Sequence, residues 1–274
     1  MKEYLSAYLT LLLIVSLMPF LLTFLLSGKN SCPPYKPLDM EKYLPIIVYL
    51  QIPYNHHFEN IKAQTILART NIQLQLENKT SLSALLKKPL EYLAHEQGLT
   101  NFFHTYKRFI QAAQETRGQV LTYQGKKVVL PYCAITTGGT RDGTSLLHSE
   151  EFEYLVSVDS PQDQKADGYR SGAYFPGTDY CEQVEIIQRD PHDYVLTVKA
   201  GERLMSGEEF RRMLELPSSS FTIQEVNGQT RILCQGQGHG LGFSQYGGNV
   251  LAKQGKSCQE ILKFYFPRLT LKNS

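Results

Sequence analysis

The chain has 274 residues, 42% of them hydrophobic and 20% charged, with 28 Lys+Arg against 26 Asp+Glu. This composition excludes a disordered or collagen-like chain, and a net charge of +2 gives no electrostatic ground for a nucleic-acid partner. The 5 cysteines are an odd number without C-x-x-C spacing. Neither a fully paired disulfide framework nor a zinc knuckle is readable from them, and buried thiols are expected.

Residues 4–27 are uncharged. As a helix they would span roughly 36 Å, more than the roughly 30 Å hydrocarbon core of a bilayer. The run has no A-x-A-like exit, so it is expected to stay attached as a single-pass anchor rather than leave as a signal peptide. The expected organisation is an N-terminal membrane anchor (1–30), a Pro-rich linker (31–40) and one domain over 41–272. Within that domain, 41–50 is apolar and interrupted by Pro45. A helix is expected from about Asn55, where Phe58, Ile61, Thr65, Ala68, Ile72 and Leu76 recur at spacings of three or four and make one buried stripe. More helix is expected over about 81–115, with breaks at Pro89 and Gly98.

The pattern then changes. Residues 118–123 and 127–130 flank Gln124-Gly125 and predict a β-hairpin. Strand-like runs recur at 132–137, 153–158, 183–188, 194–199 and 219–234, with helical pieces at about 207–216, 244–254 and 258–265. The stretch 138–180 reads as a long loop rich in Gly, Ser and Asp, of the kind that lines a site. Helices first, then strands, then helices, without βαβ alternation, predict an α+β fold with a helical N-terminal half and a β-rich C-terminal half.

The densest local signal is Gly236-Gln237-Gly238-His239-Gly240-Leu241-Gly242-Phe243-Ser244-Gln245-Tyr246-Gly247-Gly248. Its glycine spacing is not that of a dinucleotide fingerprint, a P-loop or a nucleophile elbow. By the residues alone it is either a tight structural turn with a hydrogen-bonded His239, or a loop whose backbone N–H groups approach a ligand.

The run GQGHGLGFSQYGGNVLAKQGKSCQEILKFYFP resembles the closing motif of the stage II sporulation protein D / LytB family. Residues 58–70, FENIKAQTILART, resemble that family's E-A-L-K-A-Q-A-x-A-A-R-T helix. Gly138-Gly139-Thr140 and Tyr154–Pro161 resemble its S-G-G-x-T and Y-L-x-S-V-x-x-P pieces. The resemblance implies a single SpoIID-like domain and a lytic transglycosylase acting on peptidoglycan. In that chemistry one carboxylic acid protonates the glycosidic oxygen, then takes the proton of the muramic 6-hydroxyl as a 1,6-anhydro ring closes, so one Glu suffices where other glycosidases need two.

The family's catalytic Glu lies in an E-M-P triplet eight residues before the helix motif. Here that position is Gln51, followed by Ile52-Pro53, and an amide neither gives nor takes a proton at neutral pH. The resemblance thus implies a glycan cleft with weak or absent cleavage, or an active enzyme using another carboxylate, of which Glu59 is the nearest. It also implies substrate contacts from Gln64, Arg69, Gly238, His239, Gly240, Ser244, Gln245 and Tyr246, with His239, Ser244 and Gln245 beside Gln51 and glycine N–H groups on sugar oxygens. His56 and His57 adjoin the same motif. Zinc occurs in some family members near the S-G-G segment. Cys133 and His148 are the candidate ligands here, with Cys181 and His192 completing a set of four only if the fold gathers them; by themselves they read as a buried thiol and surface histidines. The implied setting is the bacterial cell membrane, with the domain extracytoplasmic, peptidoglycan glycan strands as ligand and other engulfment membrane proteins as partners.

Overall fold

The computed structural model of the chain describes residues 39–80, 99–177 and 183–273, together with the isolated Met18; of residues 99–104 it describes the backbone alone. Apart from Met18, the expected anchor at 4–27 and nearly all of the linker lie outside the described residues. Among the described residues no helix is long and apolar enough to cross a membrane. Met40–Ser274 form one compact unit.

Among the described residues, three helices open it: α1 (Met40–Tyr49), α2 (Phe58–Glu77) and α3 (Leu99–Glu115). Pro45, expected as an interruption, sits buried inside α1. So close to the start of a short helix it removes one backbone donor, and burial among the apolar residues of α1 offsets that loss. Leu44, Ile47 and Val48 of α1 pack against Ile61, Ala68 and Ile72 of α2 and Phe109 and Ala112 of α3. The stripe predicted for α2 is therefore present, but it is half of what this helix buries. Ala63, Ile66 and Leu67 on the opposite side enter a second core with Phe243, Ile261, Leu262, Tyr265 and Phe266. With apolar contacts on two sides, α2 is the central helix of the unit.

β1 (Gln119–Thr122) runs into the Gln124-Gly125 turn, where both residues have positive φ (48° and 82°), as a tight two-residue reversal requires. The expected hairpin does not extend beyond the Tyr123–Lys126 bridge. β1 pairs instead with β10 (Thr270–Asn273), antiparallel. The intended second arm is drawn onto α2, because the Asn71 side chain accepts from Leu130 N (2.8 Å) and donates to Leu130 O (2.9 Å). β2 is only Tyr132–Cys133, parallel to β9 (Phe243–Ser244). The run 153–158 is not a strand; it meets residues 139–140 through isolated bonds such as Thr140 N to Val158 O.

Stretch 138–180 holds more order than a loop: α4 (Gly143–Leu147), two 3-10 turns at Glu150–Phe152 and Pro161–Lys165, and β3 (Arg170–Pro176). Two three-stranded antiparallel sheets complete the β-rich half. One has the order β3-β8-β7, from β7 (Phe221–Val226) and β8 (Gln229–Gln235), which turn at Asn227-Gly228. The other is β4 (Val184–Arg189), β5 (Val195–Ala200) and β6 (Arg203–Ser206). With α5 (Gly207–Met213) they enclose Val195, Val198, Phe210, Phe221 and Ile232. The chain then returns to the helical half as α6 (Gln245–Lys253) and α7 (Cys258–Tyr265), the latter started by a Ser257/Glu260 capping box.

Candidate functional site

After α1 the N–H groups of Gln51 and Ile52 both bond Val48 O (3.0 and 3.2 Å), which turns the chain ahead of Pro53. Gln51 Oε1 accepts from Gln64 Nε2 (2.9 Å). Gln245, the first residue of α6, donates through Nε2 to the Gln51 carbonyl (2.7 Å) and to Gln64 Oε1 (3.2 Å). Gln64 and Gln245 are buried, so only the half-buried Gln51 reaches solvent, and its own amide N–H groups have no partner among the described residues. The structure thus gathers three of the residues singled out in the sequence, Gln51, Gln64 and Gln245, into one amide cluster.

The surroundings are tied to it. Asn60 Nδ2 donates to Gln245 O and lies 2.9 Å from His56 Nδ1. Since Asn60 is the donor, the His56 proton sits on Nε2. Burial, with Lys253 nearby, lowers the His56 pKa to about 4, so the ring is neutral at pH 7. Arg108 clamps the rim by donating to the carbonyls of Tyr54 and His56. His57 caps α2 through Nδ1, and its own N–H bonds Asn249 Oδ1 (2.7 Å).

Glu59 lies elsewhere. One oxygen takes the Lys62 ammonium (2.7 Å), and the other accepts Cys258 N–H (2.7 Å) at the start of α7. Burial pushes this carboxyl up, but the bonds from Lys62 and Cys258 outweigh it and hold the group below its usual range. Glu59 is a staple between α2 and α7, poorly suited to carry a proton at neutral pH. Arg69, expected to touch substrate, is fully buried. It forks onto Glu41 (2.7 and 3.1 Å) and donates to Ala113 O, which fixes α1 and α3 to α2. A side chain without exposed surface cannot contact a polymer in the medium.

The glycine run departs from expectation too. Gly236 N–H bonds Tyr169 O, Gly238 N–H bonds Pro217 O, and Gly247 N–H bonds Ser244 Oγ. The Gly240 N–H faces the Cys133 sulfur. These donors are spent inside the protein and not offered to sugar. The glycines serve close packing: at Gly240 (φ +76°) a Cβ would run into the Tyr194 ring, and at Gly242 (φ +71°) into the Pro131 carbonyl. Ser244 is buried, caps α6 and donates to Asp163 Oδ2 (2.6 Å), which also accepts from Thr136 N–H and Oγ1. Burial pushes the Asp163 carboxyl up despite these bonds. Tyr246 packs on Ile135, Ala166 and Tyr169, with its hydroxyl 3.3 Å from Lys165 O.

His239 faces a second cluster that the sequence reading did not single out. Arg141 N–H bonds Gly240 O (2.9 Å). Its guanidinium pairs through Nε with Asp190 (2.7 Å) and through Nη1 with Glu208 (3.3 Å), and it stacks 4.6 Å from the Tyr194 ring centroid. His239 Nδ1 accepts Leu241 N–H (3.0 Å). Burial lowers the His239 pKa, although Glu208 pulls it upward. The available signal was an arginine directly after Gly138-Gly139-Thr140. The zinc candidates do not converge. Cys133 is buried with its thiol pushed up, first by burial and then by Asp163, whereas His148 is exposed in a left-handed helix cap (φ 53°). His192 bonds Ser157, and Cys181 lies outside the described residues. Among the described residues no three His, Cys, Asp or Glu side chains are grouped to hold a metal.

Residues 29–123 match the SpoIID family, described as Stage II sporulation protein. The chain resembles this family over that stretch. It is 28% identical over 252 residues to Stage II sporulation protein D of Bacillus amyloliquefaciens, covering 84% of this chain and 73% of that relative. Over 253 residues it is 26% identical to Stage II sporulation protein D of Bacillus subtilis (strain 168), with 84% and 73% covered. A stretch of 54 residues, 20% of this chain and 8% of the relative, is 43% identical to the Amidase enhancer of the same strain. The SpoIID match includes α1, α2 and the Gln51 turn, so the amide cluster falls within it on two of its three members.

Proposed function

We propose that this chain is a sporulation protein of the cell wall that binds peptidoglycan glycan strands at the Gln51 face and cleaves them feebly or not at all. The supporting observation is the amide cluster. The position that the E-M-P resemblance matches to the family's acid is a glutamine whose Oε1 is fixed by Gln64, and Glu59, the nearest alternative, is tied to Lys62 and Cys258 N–H. The free amide end of Gln51 offers hydrogen bonds to a sugar but no transferable proton. In this reading residues 4–27 hold the chain in the cell membrane, the domain faces outward, and other engulfment membrane proteins are its partners.

The test is release of anhydro-muramic ends from glycan strands by the full chain in detergent, comparing wild type, Gln51→Glu and Glu59→Gln. Wild type should bind strands and release few products. Gln51→Glu keeps the Gln64 donor, now to a carboxylate, and should raise the rate on the order of 10²-fold or more. Robust wild-type cleavage abolished by Glu59→Gln would overturn the proposal. Protease shaving of intact cells tests the topology: residues 41–274 should be digested from outside.

A further inference from the structure

A groove of about 480 Å³ lies beside the β1–β10 pair, walled in part by Glu77 of α2, Thr122 of β1 and three lysines, Lys126, Lys127 and Lys272. The Lys272 ammonium stands against the Gln124-Gly125 turn, 4.0 Å from where a Cβ on Gly125 would lie. A fourth lysine, Lys79, follows Glu77 by two residues, where the chain leaves α2 with a positive φ (65°). Lys79, Lys126 and Lys272 are exposed, and among the described residues none of them pairs with a carboxylate; Lys127 takes Glu77 (2.6 Å). The acids nearest along the chain are engaged elsewhere, Glu41 by Arg69 and Glu115 by Lys62. Uncompensated positive charge therefore collects at this groove in a chain whose net charge is only +2.

The groove adjoins the point where the chain enters the compact unit. Glu41, in the first turn of α1, holds the Arg69 fork, and Arg69 Nη1 donates to Gln119 O (3.3 Å). Gln119 is in register with Asn273, which lines the groove with Lys272. Only residues 28–38 separate the expected anchor from the first described residue of this region, and fully extended they reach no more than about 40 Å. The glycan face lies at the other end of α2. Gln64 of the amide cluster and Glu77 of the groove are 13 positions apart on that helix, about 20 Å along its axis. Lysine ammoniums are strongly hydrated point charges on flexible stems, without the planar fork that selects one shaped anion. Several of them around an open groove suit an array of phosphodiesters, and a short tether keeps a membrane surface at high effective concentration.

We infer that the lysine groove docks this unit on the anionic phospholipid headgroups of the membrane that holds the anchor, so that the Gln51 face is held up to about 20 Å farther from the bilayer. The inference rests on the anchor assigned to residues 4–27 in the reading above. The full chain is placed in nanodiscs of phosphatidylcholine, alone or with phosphatidylglycerol, and its lysines are acetylated and followed by mass spectrometry. Each lysine brought to an anionic surface favours docking about fivefold, so Lys79, Lys126 and Lys272 should react about tenfold more slowly, or slower still, in the anionic discs. High salt should restore their rates by screening. Lys199 on β5 and Lys253, which lies near His56, should react alike in both. Lys126→Glu combined with Lys272→Glu, both at exposed positions, should remove the protection of Lys79 with the circular dichroism spectrum unchanged. Equal rates in the two kinds of disc, or protection that survives high salt or the double variant, overturns the inference. So does protection by soluble poly(glycerol phosphate) in neutral discs where phosphatidylglycerol gives none, which would make a wall polyanion the partner. Co-elution with the discs separates the two readings. A chain held in both kinds of disc with these lysines unprotected keeps the anchor and sinks the lipid surface; a chain that leaves neutral discs but stays with anionic ones does the reverse.

Discussion

The amide cluster at Gln51 and the ionic cluster at Arg141 are two solutions to burying polar groups, and one segment supplies both. Gln245, at the end of the glycine run, enters the first, while His239 and Gly240, at its middle, abut the second. The first is neutral: three glutamines exchange bonds and leave one amide end toward solvent. The second is charged, with Arg141 held by Asp190 and Glu208 in a nearly dry setting. Neutral amides lose little when a neighbour is exchanged, whereas a buried ion pair that loses one partner strands a charge. A site needing adjustable chemistry is therefore easier to build on the first, and a site needing fixed direction on the second.

The sharpest way to break this comparison is Arg141→Met. It leaves Asp190 and Glu208 partly unpaired and should cost about 3–5 kcal/mol in urea unfolding of the full chain in detergent. Gly240→Ala comes next, at about 2–4 kcal/mol, because the positive φ and the Tyr194 ring both oppose a methyl group. Gln64→Leu removes the donor to Gln51 Oε1 and one of the two acceptors of Gln245 Nε2, and about 1–3 kcal/mol is expected by the same measurement. A larger loss at Gln64 than at Arg141 would show that the neutral cluster is the more rigid of the two.

The smallest expected effect is a pH dependence at the rim. The folded His56 pKa of about 4 is below the unfolded value near 6.5, so between them the unfolded chain binds more protons. Stability from this residue is full above about pH 6.5 and falls away as pH drops toward 4. His56→Gln keeps an acceptor for Asn60, and its melting temperature should fall less than that of wild type between pH 7 and 4.5. Parallel curves for the two proteins would contradict the burial assigned to His56.

What the sequence reveals depends on how local the cause is. The helix at 58–77 follows from its own apolar spacing, and the segments 245–253 and 258–265 from caps and spacing close at hand. The second buried face of α2 was not legible, because it depends on residues near 261–266 that the stripe does not encode. The Gln124-Gly125 reversal was legible but its pairing was not: a turn is set by two residues, whereas the choice between 127–130 and 270–273 is set by Asn71. At the site, the motifs pointed to Gln51, Gln64 and Gln245. Motif matching could not separate residues that face solvent from those that hold the scaffold, and Arg69, Ser244 and the glycine N–H groups proved to be of the second kind. Arg141 carried no motif of its own, and only burial shows that one of its donors is left over.

The pairing of β1 with β10 has a consequence for how the protein is made. Thr122 bonds the backbone of Thr270, a partner 148 positions later, and Ile261, Leu262, Tyr265 and Phe266 close the core over Ala63, Ile66 and Leu67. A ribosome delivers α2 long before it delivers the residues that cover it. Until Phe266 emerges, that face of the central helix is covered only by earlier residues such as Leu121, Leu130 and Phe243, and contacts as distant in sequence as those to 261–266 form slowly. A nascent chain stalled before Cys258 should therefore carry an open apolar seam along α2 and depend on a holdase to stay in solution.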